Sequence, residues 1–378
     1  MAAPAETYDV VVVGGGIGGS VAARFAAQNG LSTLLLEKDK TPRNKPCSGI
    51  QFLYLERLVG ERIPREALCT NELSSVQIIT PSGKAIKGRM KMLNFWRSTF
   101  DSWLNRVALQ AGATFRDEAR FVDFTEEGNS ITVAIQGKEN EETTVTTRYL
   151  IGADGLNSAV RRKLRPQDFK PGSTGATINY YFVGEADLDP ETLYMFYNRE
   201  FSPLMFAWVY MKDSQWVVGT GADKDLLEYA ERFLNHVQER YRLRGQLIRK
   251  EGFSTPMEST VCMGRGRVLL AGDAAGLVDL YRGLGMDNAA LSARLAAKAI
   301  VSAVTTGRSP VDDYQRAMRR TVQQIEMNAA RQAERYATDK SLEESLSPLH
   351  ILRDGLLMLA ASQANKLLPA ERIIKLPM

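Results

Sequence analysis

Three glycines near the start of the chain have a spacing suited to phosphate binding. Gly14, Gly16 and Gly19 follow the Val-rich run YDVVVV and open the small-residue stretch SVAARFAAQNG. In a strand–turn–helix unit, such glycines allow a tight turn, close approach of the backbone to a pyrophosphate, and close helix–strand packing. Glu37 ends the next apolar run, where its carboxylate can accept a ribose hydroxyl. The pattern predicts dinucleotide binding, as NAD or as the adenosine half of FAD.

Two later motifs distinguish FAD from NAD. GADGLNSAVRR (Gly152 to Arg162) and LLAGDAAGLVDLYRGLGM (Leu269 to Met286) have no role in a simple NAD-dependent dehydrogenase. In this order behind the glycine motif, they resemble the aromatic-hydroxylase branch of FAD-dependent flavoproteins. The resemblance extends over most of residues 1–305 and implies a Rossmann-type FAD-binding domain with FAD as the cofactor.

The same resemblance implies roles for individual residues. Asp273 is expected to bind the ribityl chain, and the turn formed by Gly283 and Gly285 to lie beside the flavin ring. Arg97, at the start of a helical stretch, is expected to approach the FAD phosphates. The further cofactor-binding candidates are the Asp154 and Gly155 turn, Lys45 and Met286.

The source of electrons is less defined by the sequence. A second Gly-x-Gly-x-x-Gly motif is absent from the chain. A nicotinamide reductant, NAD(P)H, is therefore expected to dock transiently, unless the electrons come from a protein or from another flavin.

Two further segments resemble the geranylgeranyl reductase family. KPCSG (Lys45 to Gly49) is similar to its PxxCG loop, and the segment from Pro203, PLMFAWVYM, is similar to its PxxYxWxFP signature. Pro203 and Trp208 match, whereas Phe206 replaces the Tyr, Tyr210 replaces the Phe, and the final Pro is lost. The resemblance implies an aromatic segment that lines an isoprenoid tunnel and a cysteine loop near the flavin.

The aromatic segment has two interpretations. Phe206, Trp208 and Tyr210 fall on one face of a predicted strand, because side chains alternate along a strand. They form either ordinary sheet packing or the wall of a pocket for a flat or apolar substrate, and beside a flavin domain we favour the pocket wall. Flavin-dependent halogenases and monooxygenases have a WxWxIP segment at the comparable point, to which this segment is also similar.

Cys47 is the candidate catalytic residue. On the resemblance to the reductases, it is a proton donor or polar contact at the flavin face, whereas buried cysteines are commonly small apolar packing groups. Cys69 and Cys262 are interpreted as structural, and the spacing of the three cysteines predicts no metal site.

Three functions are compatible with these motifs. The favoured hypothesis is an FAD-dependent oxidoreductase that reduces C=C double bonds of an isoprenoid or similar hydrophobic substrate by hydride transfer from flavin N5. The alternative is a flavin-dependent monooxygenase or halogenase acting on an aromatic, carrier-bound or protein substrate. A third hypothesis is a maturation or electron-transfer flavoprotein that acts on a partner protein.

The elements that position these residues predict an α/β fold in three parts. Residues 1–75, 95–165 and 260–305 are predicted to form a discontinuous FAD-binding domain. A substrate-binding antiparallel-sheet domain is predicted from residues 76–94 and 166–259, followed by a helical C-terminal region over residues 306–378.

Composition limits the class of protein. The chain has 378 residues, 44% hydrophobic and 24% charged, as in ordinary soluble globular proteins. A net charge of +4, spread along the chain, argues against nucleic-acid binding. The start lacks the features of a signal peptide, and no apolar run approaches the roughly 20 residues of a membrane span. We expect a cytoplasmic protein, with peripheral membrane contact of the apolar segment LLMLAAS left open.

Overall fold

The computed structural model describes residues 6–169, 174–256 and 260–375. Its strands are β1 (Glu6–Val13), β2 (Thr33–Leu36), β3 (Ile50–Phe52), β4 (Leu73–Ile79), β5 (Ala85–Asn94), β6 (Thr114–Arg116), β7 (Arg120–Glu127), β8 (Ser130–Gln136), β9 (Glu142–Gly152), β10 (Thr174–Glu185), β11 (Thr192–Phe196), β12 (Ala207–Lys212), β13 (Gln215–Ala222), β14 (Arg244–Pro256), β15 (Gly264–Arg265) and β16 (Val268–Leu270). Its α-helices are α1 (Ile17–Gln28), α2 (Leu55–Val59), α3 (Arg97–Gln110), α4 (Ala159–Leu164), α5 (Leu226–Arg240), α6 (Met286–Thr306), α7 (Pro310–Arg335), α8 (Asp339–Ser345) and α9 (Pro348–Leu367).

The first sheet is built around the N-terminal strand. Its strand order is β15-β16-β9-β1-β2-β6, with β7 and β8 joined to β9 through β8. β1 pairs in parallel with β2 and β9, and β9 pairs in parallel with β16. Parallel strands place their carboxyl ends at one edge of the sheet, so the turns after β1, β9 and β16 meet there. These turns carry Gly14, Asp154 and Asp273, and the predicted Rossmann-type unit is confirmed.

The second sheet has the order β14-β10-β13-β12-β11-β4-β5-β3. It is antiparallel except for the parallel pair of β4 and β11. One face is covered by α5, whose Ala230, Phe233 and Val237 are buried against it. The opposite face presents the alternate residues of β10 and β12, including Trp208 and Tyr210. The predicted antiparallel-sheet unit is thus present and has one sheltered face.

The second sheet begins earlier in the chain than residue 76, where the sequence analysis placed the start of the substrate-binding domain. β3 pairs with β5, and β4 begins at Leu73, so residues assigned to the FAD-binding domain before position 76 lie in the second sheet. The predicted boundary cuts through β4. β3 is only three residues long, which gives too short a pattern to be assigned to a sheet from sequence.

α6 is the one helix in the described ranges with the length and apolar composition to cross a membrane. The sequence analysis expected no such segment, since it found no apolar run of that length. Asp287, Asn288, Arg294 and Lys298 interrupt the apolar residues of α6. More than half of the apolar window is buried. Its small residues pack against α1 and α7 in the core, so burial inside the protein accounts for its composition.

The remaining helices form the predicted helical C-terminal region. α7 places Tyr314, Met318 and Ile325 in the core, and the Tyr314 hydroxyl donates to the carbonyl of Leu270 at 2.9 Å. α9 is less covered and turns several leucines to solvent. The chain then returns to the core at Ile373, where the Asn365 side chain exchanges two hydrogen bonds with the backbone of Ile374.

Candidate active site

A cavity of about 620 Å³ lies between the two sheets. The turn after β1, the loop over residues 43–48, the exposed face of β12 and the segment over residues 271–286 all border it. The predicted site residues that border this cavity are Gly14, Gly16, Glu37, Lys45, Cys47, Arg97, Asp154, Gly155, Phe206, Trp208, Tyr210, Asp273, Gly283, Gly285 and Met286. Gly19 does not border the cavity.

The glycine turn forms a backbone cradle at one end of the cavity, which we call the nucleotide end (residues 14–19, 37, 43, 97 and 101). Gly14 has φ +105°, and a Cβ on it would lie 2.5 Å from the Ala153 carbonyl oxygen. A Cβ on Gly19 would lie 1.7 Å from the carbonyl oxygen of Gly14. Gly19 therefore serves close packing of α1 on the turn rather than contact with the cavity.

Glu37 is buried directly after β2, and its carboxylate accepts three hydrogen bonds, one of them from the backbone N–H of Asp39 to Oε1 at 3.1 Å. Its Oε2 accepts the backbone N–H of Gly15 at 2.9 Å and the Nε of Arg43 at 2.8 Å. The Arg43 guanidinium also lies 3.3 Å from a carboxylate oxygen of Asp101. The sequence analysis missed Arg43, because it stands alone in a loop and its partners are separated from it along the chain.

Arg97 completes this charge network. Its Nε and Nη2 each donate to the carboxylate of Asp101 at 2.8 Å, one turn further along α3. Burial alone would lower the pKa of Arg97, but the Asp101 carboxylate outweighs it and raises that pKa, with a further contribution from Cys47. The guanidinium is therefore charged at every physiological pH.

The nucleotide end fits the pyrophosphate of FAD. A Cβ on Gly16 would lie 3.3 Å from a terminal nitrogen of Arg43 and 3.7 Å from one of Arg97, so both guanidinium groups face the bare backbone at the start of α1. A helix N-terminus and two guanidinium groups together favour a multiply charged anion. Side chains at these glycine positions would fill the cradle.

Asp154 shapes the turn after β9. Its carboxylate accepts the Ser158 hydroxyl at 2.5 Å and the backbone N–H of Ala159 at 2.7 Å, at the start of α4. Burial raises the pKa of Asp154 in spite of these hydrogen bonds. Beside this turn, the ammonium of Lys45 lies 3.6 Å from the carboxylate of Asp273.

The loop before α6 approaches the aromatic strand very closely. Gly283 has φ +62°, and a Cβ there would lie 2.9 Å from the ring of Phe206. Behind the loop, the buried Arg282 donates to Asp287 at 2.7 Å and to the Tyr54 hydroxyl at 3.0 Å. Burial would raise the pKa of Asp287, but Arg282 outweighs it and lowers that pKa to about 2. This ion pair, which the sequence analysis did not find, fixes the position of the loop.

Cys47 lies at the junction of the two ends of the cavity. It is half-buried, and its Sγ is 3.9 Å from the Sδ of Met286. It is also an electrostatic neighbour of Arg97. Cys69 and Cys262 are buried and do not border the cavity.

The other end of the cavity is an aromatic surface, which we call the wall (residues 177, 179, 206, 208 and 210). The Trp208 indole N–H donates to the Asn179 side-chain oxygen at 2.8 Å, and the Phe206 and Trp208 rings meet edge to face at 6.2 Å. The hydroxyl of Tyr210 has no hydrogen-bond partner among the described residues. Phe206, Trp208 and Tyr210 border the cavity and also belong to the packed core of the second sheet; that they contact a substrate stays a prediction.

Lys212 ends the same strand in an unusual environment. It is fully buried, donates to the Phe95 carbonyl and lies 4.7 Å from the centre of the Trp96 ring. Burial lowers the pKa of Lys212 to about 8, although Cys69 and Cys47 act in the opposite direction. It lies on the same face of β12 as Trp208 and Tyr210, beyond the end of the wall, and does not border the cavity.

Comparison with known proteins identifies the family of this chain. The FAD binding domain family matches residues 7–329. The chain is 30% identical over 317 residues to digeranylgeranylglycerophospholipid reductase 2 of Methanothermobacter thermautotrophicus, with 80% of each protein covered. It is 29% identical over 317 residues to geranylgeranyl diphosphate reductase of Rhodobacter capsulatus, covering 81% of this chain and 78% of the relative. The family match confirms FAD as the cofactor.

Solved structures give the same result for the fold. A geranylgeranyl bacteriochlorophyll reductase-like protein from Thermoplasma acidophilum superimposes with a TM-score of 0.82 at 25% identity, covering 91% of this chain and 92% of that protein. A flavin-dependent brominase superimposes with a TM-score of 0.73 at 17% identity, covering 98% of this chain and 94% of the brominase. The second likeness concerns the fold alone.

Proposed function

The chain belongs to the geranylgeranyl reductase family of FAD-binding proteins, and we propose that it reduces C=C double bonds of an isoprenoid or similar hydrophobic substrate. The observation that carries the proposal is that the aromatic wall, the Cys47 thiol and the nucleotide end border one cavity. The relatives named for geranylgeranyl and digeranylgeranyl substrates support the same substrate class.

The nucleotide end would hold FAD, which when reduced supplies a hydride from its flavin N5. The backbone at Gly14 and Gly16, with Arg43 and Arg97, would bind the pyrophosphate, and Glu37 would accept a ribose hydroxyl. The further residues proposed to contact the cofactor are Lys45, Asp154, Gly155, Asp273, Gly283, Gly285 and Met286.

The wall would bind and orient the alkene. The rings and aliphatic side chains exclude water from a bound isoprenoid chain. Burial of that chain contributes roughly 0.8 kcal/mol of binding free energy per methylene. Binding energy from the unreactive part of the chain can then position the reacting bond. The faces of Phe206 and Trp208 would also stabilise partial positive charge on an alkene carbon through their quadrupoles.

Cys47 is the proposed proton donor. Reduction of an alkene adds one hydride and one proton, so the thiol gives its proton to one alkene carbon and is left as a thiolate. The charged Arg97 guanidinium is a neighbour of Cys47. A proton from solvent restores the thiol. The two electrons come from the reduced cofactor, which NAD(P)H or a redox partner protein would reduce again.

The proposal includes peripheral contact with a membrane. Leu349, Leu352, Leu356 and Leu359 recur at three- and four-residue spacing on α9, and each is more than half exposed. Such a stripe lies on one face of a helix and suits the interface of a bilayer that contains prenyl lipids. We expect co-sedimentation with phospholipid vesicles, weakened when Leu352 and Leu356 are changed to Ser. Unchanged sedimentation of that variant would contradict this part.

A stopped-flow experiment tests the proposed reaction. The flavoprotein is reduced without oxygen and mixed with prenyl lipids that differ in head group. Flavin reoxidation without oxygen, with a product two hydrogens heavier than the substrate, is the expected result. No reaction with any alkene, together with a transient oxygen adduct after mixing with air, would instead favour a monooxygenase or halogenase.

A further inference from the structure

The Trp208 side chain reaches across a neighbouring strand to its hydrogen-bond partner. Trp208 on β12 lies opposite Gly219 on β13, and Gly219 in turn lies opposite Asn179 on β10. The indole N–H therefore crosses the whole of β13 to donate to the Asn179 Oδ1 at 2.8 Å. Strands two apart in a sheet are separated by about 10 Å, a gap that a side chain on the middle strand normally fills.

Gly219 makes this crossing possible. A Cβ on Gly219 would lie 2.2 Å from the Nε1 of Trp208, 2.5 Å from its Cε2 and 2.4 Å from the Oδ1 of Asn179. Any residue with a side chain would therefore displace the ring or break the hydrogen bond. Glycine is otherwise unfavourable inside a strand, because it costs conformational entropy and packs against nothing. Its place in β13 is explained by the indole that lies over it.

Asn179 is itself held in one orientation. It is 1% exposed, and it lies opposite Glu251 in the pairing of β10 with β14. The hydroxyl of Tyr181, two residues along the same face, donates to Glu251 at 2.7 Å and has Asn179 as a hydrogen-bonding neighbour. An indole N–H only donates, so the oxygen of the Asn179 amide, not its nitrogen, faces Trp208.

This arrangement determines what Trp208 offers to the cavity. The indole has one polar group, and that group is turned to Asn179. The ring planes of Trp208 and Phe206 meet at 74°, and both residues border the cavity. A substrate oxygen placed against Trp208 would lose its water without gaining a donor from this ring, whereas a hydrocarbon chain would lose nothing.

We infer that Gly219 and Asn179 are positioning residues, which hold the Trp208 indole in one orientation as an apolar surface for the hydrocarbon part of the substrate. This inference rests on the proposed function and adds to that site two residues outside the signature segment. The polar head group of the substrate is placed away from Trp208.

The test follows the ring and a bound prenyl chain separately. The oxidised, FAD-loaded protein is labelled with fluorotryptophan, and Trp208→Phe identifies which of the four tryptophan fluorine resonances belongs to Trp208. Geranylgeraniol is then titrated into each variant. We expect Gly219→Ala to shift the Trp208 resonance and to raise the dissociation constant for geranylgeraniol about tenfold, because the displaced ring loses its contact with the chain. The FAD content should be unchanged.

Asn179→Ala tests the same inference by removing atoms only, and it decides the outcome if Gly219→Ala does not fold. Loss of the acceptor frees the indole, so the Trp208 resonance should shift and the dissociation constant should rise about threefold.

Gly252→Ala is the matched control. Gly252 lies within β14 of the same sheet, but a Cβ there would meet its nearest atom at 3.7 Å, so neither the resonance nor binding should change. A second comparison adds Gly219→Ala to the Trp208→Phe protein. The further loss of binding should be less than about twofold, because Phe has no N–H and a smaller ring to displace.

A tenfold further loss in the Trp208→Phe protein would overturn the inference, since Gly219 would then act through something other than the indole. A shifted Trp208 resonance with unchanged binding would also overturn it, as would the absence of geranylgeraniol binding to the unaltered protein. Binding that depends on Gly219 and Trp208 as expected, without reduction of any prenyl lipid in the stopped-flow experiment, would retain the inference and reject the proposed reaction.

Discussion

The nucleotide end and the region next to the wall differ in how a buried positive charge is paired. At the nucleotide end, Arg97 is paired with Asp101 at 2.8 Å, and its pKa is raised. Beyond the end of the wall, on the same face of β12, Lys212 has a carbonyl and a ring as neighbours, and no carboxylate lies within ion-pair distance of it among the described residues. Burial lowers its pKa to about 8. The nucleotide end completes its own charge balance and is built for one constant ligand. The wall leaves the hydroxyl groups of Thr177 and Tyr210 buried without a hydrogen-bond partner among the described residues.

The largest expected effect comes from the backbone cradle. Gly14→Ala should reduce FAD binding more than a hundredfold, because its Cβ would lie 2.5 Å from the Ala153 carbonyl oxygen in a strained backbone conformation. The flavin-to-protein absorbance ratio measures this loss. Gly30→Ala is the control, since Gly30 also has positive φ but open space around its Cβ position. It should lose about 1 kcal/mol of stability and keep its flavin. Equal flavin loss in both variants would show that backbone strain, not the cradle, is responsible.

Removing one member of the paired charges should be the next most damaging change. Arg43→Met leaves Glu37 and Asp101, both buried, without this partner and should lower the free energy of unfolding by about 3 kcal/mol. Urea titration of the FAD-free protein measures it. The exposed pair of Arg232 and Glu228 provides the control, where Arg232→Met should cost less than 1 kcal/mol. Similar losses in the two variants would contradict the difference between the ends.

The role of the Cys47 thiol, at the junction of the nucleotide end and the wall, is tested by removing it. Cys47→Ala should lower the rate of alkene reduction about a hundredfold, the contribution of a positioned acid, with unchanged FAD content. Single-turnover oxidation of the reduced flavin measures this rate. Cys69→Ala is the control, because that thiol lies outside the cavity and burial raises its pKa to about 11. An unaltered rate in Cys47→Ala would reduce its role to packing.

The smallest effect concerns the buried charge of Lys212, beyond the end of the wall. Below pH 8, Lys212 is protonated in both folded and unfolded chains, and the full cost of burying its charge is present. Between pH 8 and about 10.5, the folded state releases the proton first, so the unfolded state binds more protons and stability rises with pH. Lys212→Met should remove this contribution to the pH dependence of the free energy of unfolding, a slope of at most about 1.4 kcal/mol per pH unit.

Urea unfolding at intervals from pH 7 to pH 10 measures that slope in both proteins. The stability advantage of Lys212→Met should be greatest at pH 7 and decline as the pH rises. Lys375, whose pKa burial also lowers to about 8, contributes equally to both proteins and cancels in the difference. A constant difference across the range would mean that Lys212 does not titrate there.

The sequence was most informative at the nucleotide end. The glycine turn and Glu37 belong to one local strand–helix–strand unit, so their spacing along the chain determines their positions in space. Arg43 and Asp101 belong to the same network but were missed, because their pairing depends on how a loop and α3 pack. The Arg282 and Asp287 pair was missed for the same reason, although both residues stand within or beside a quoted motif.

At the wall, the sequence predicted the residues but not their partners. Alternation along one strand placed Phe206, Trp208 and Tyr210 on a common face. The hydrogen bond from Trp208 to Asn179 depends on the register of β10, β13 and β12, which no single strand encodes. The unpaired hydroxyl of Tyr210 is likewise visible only when every neighbour is known.

The path of the chain between the sheets has a consequence for recombination between relatives. The described strands alternate from the first sheet to the second after β2, back after β5, across again after β9 and back after β14. No single splice point separates the cofactor half from the substrate half. A chimera that borrows only the wall from another family member would need both inserts, residues 50–94 and 174–256, exchanged together. Exchange of residues 174–256 alone would pair β11 of one parent with β4 of the other.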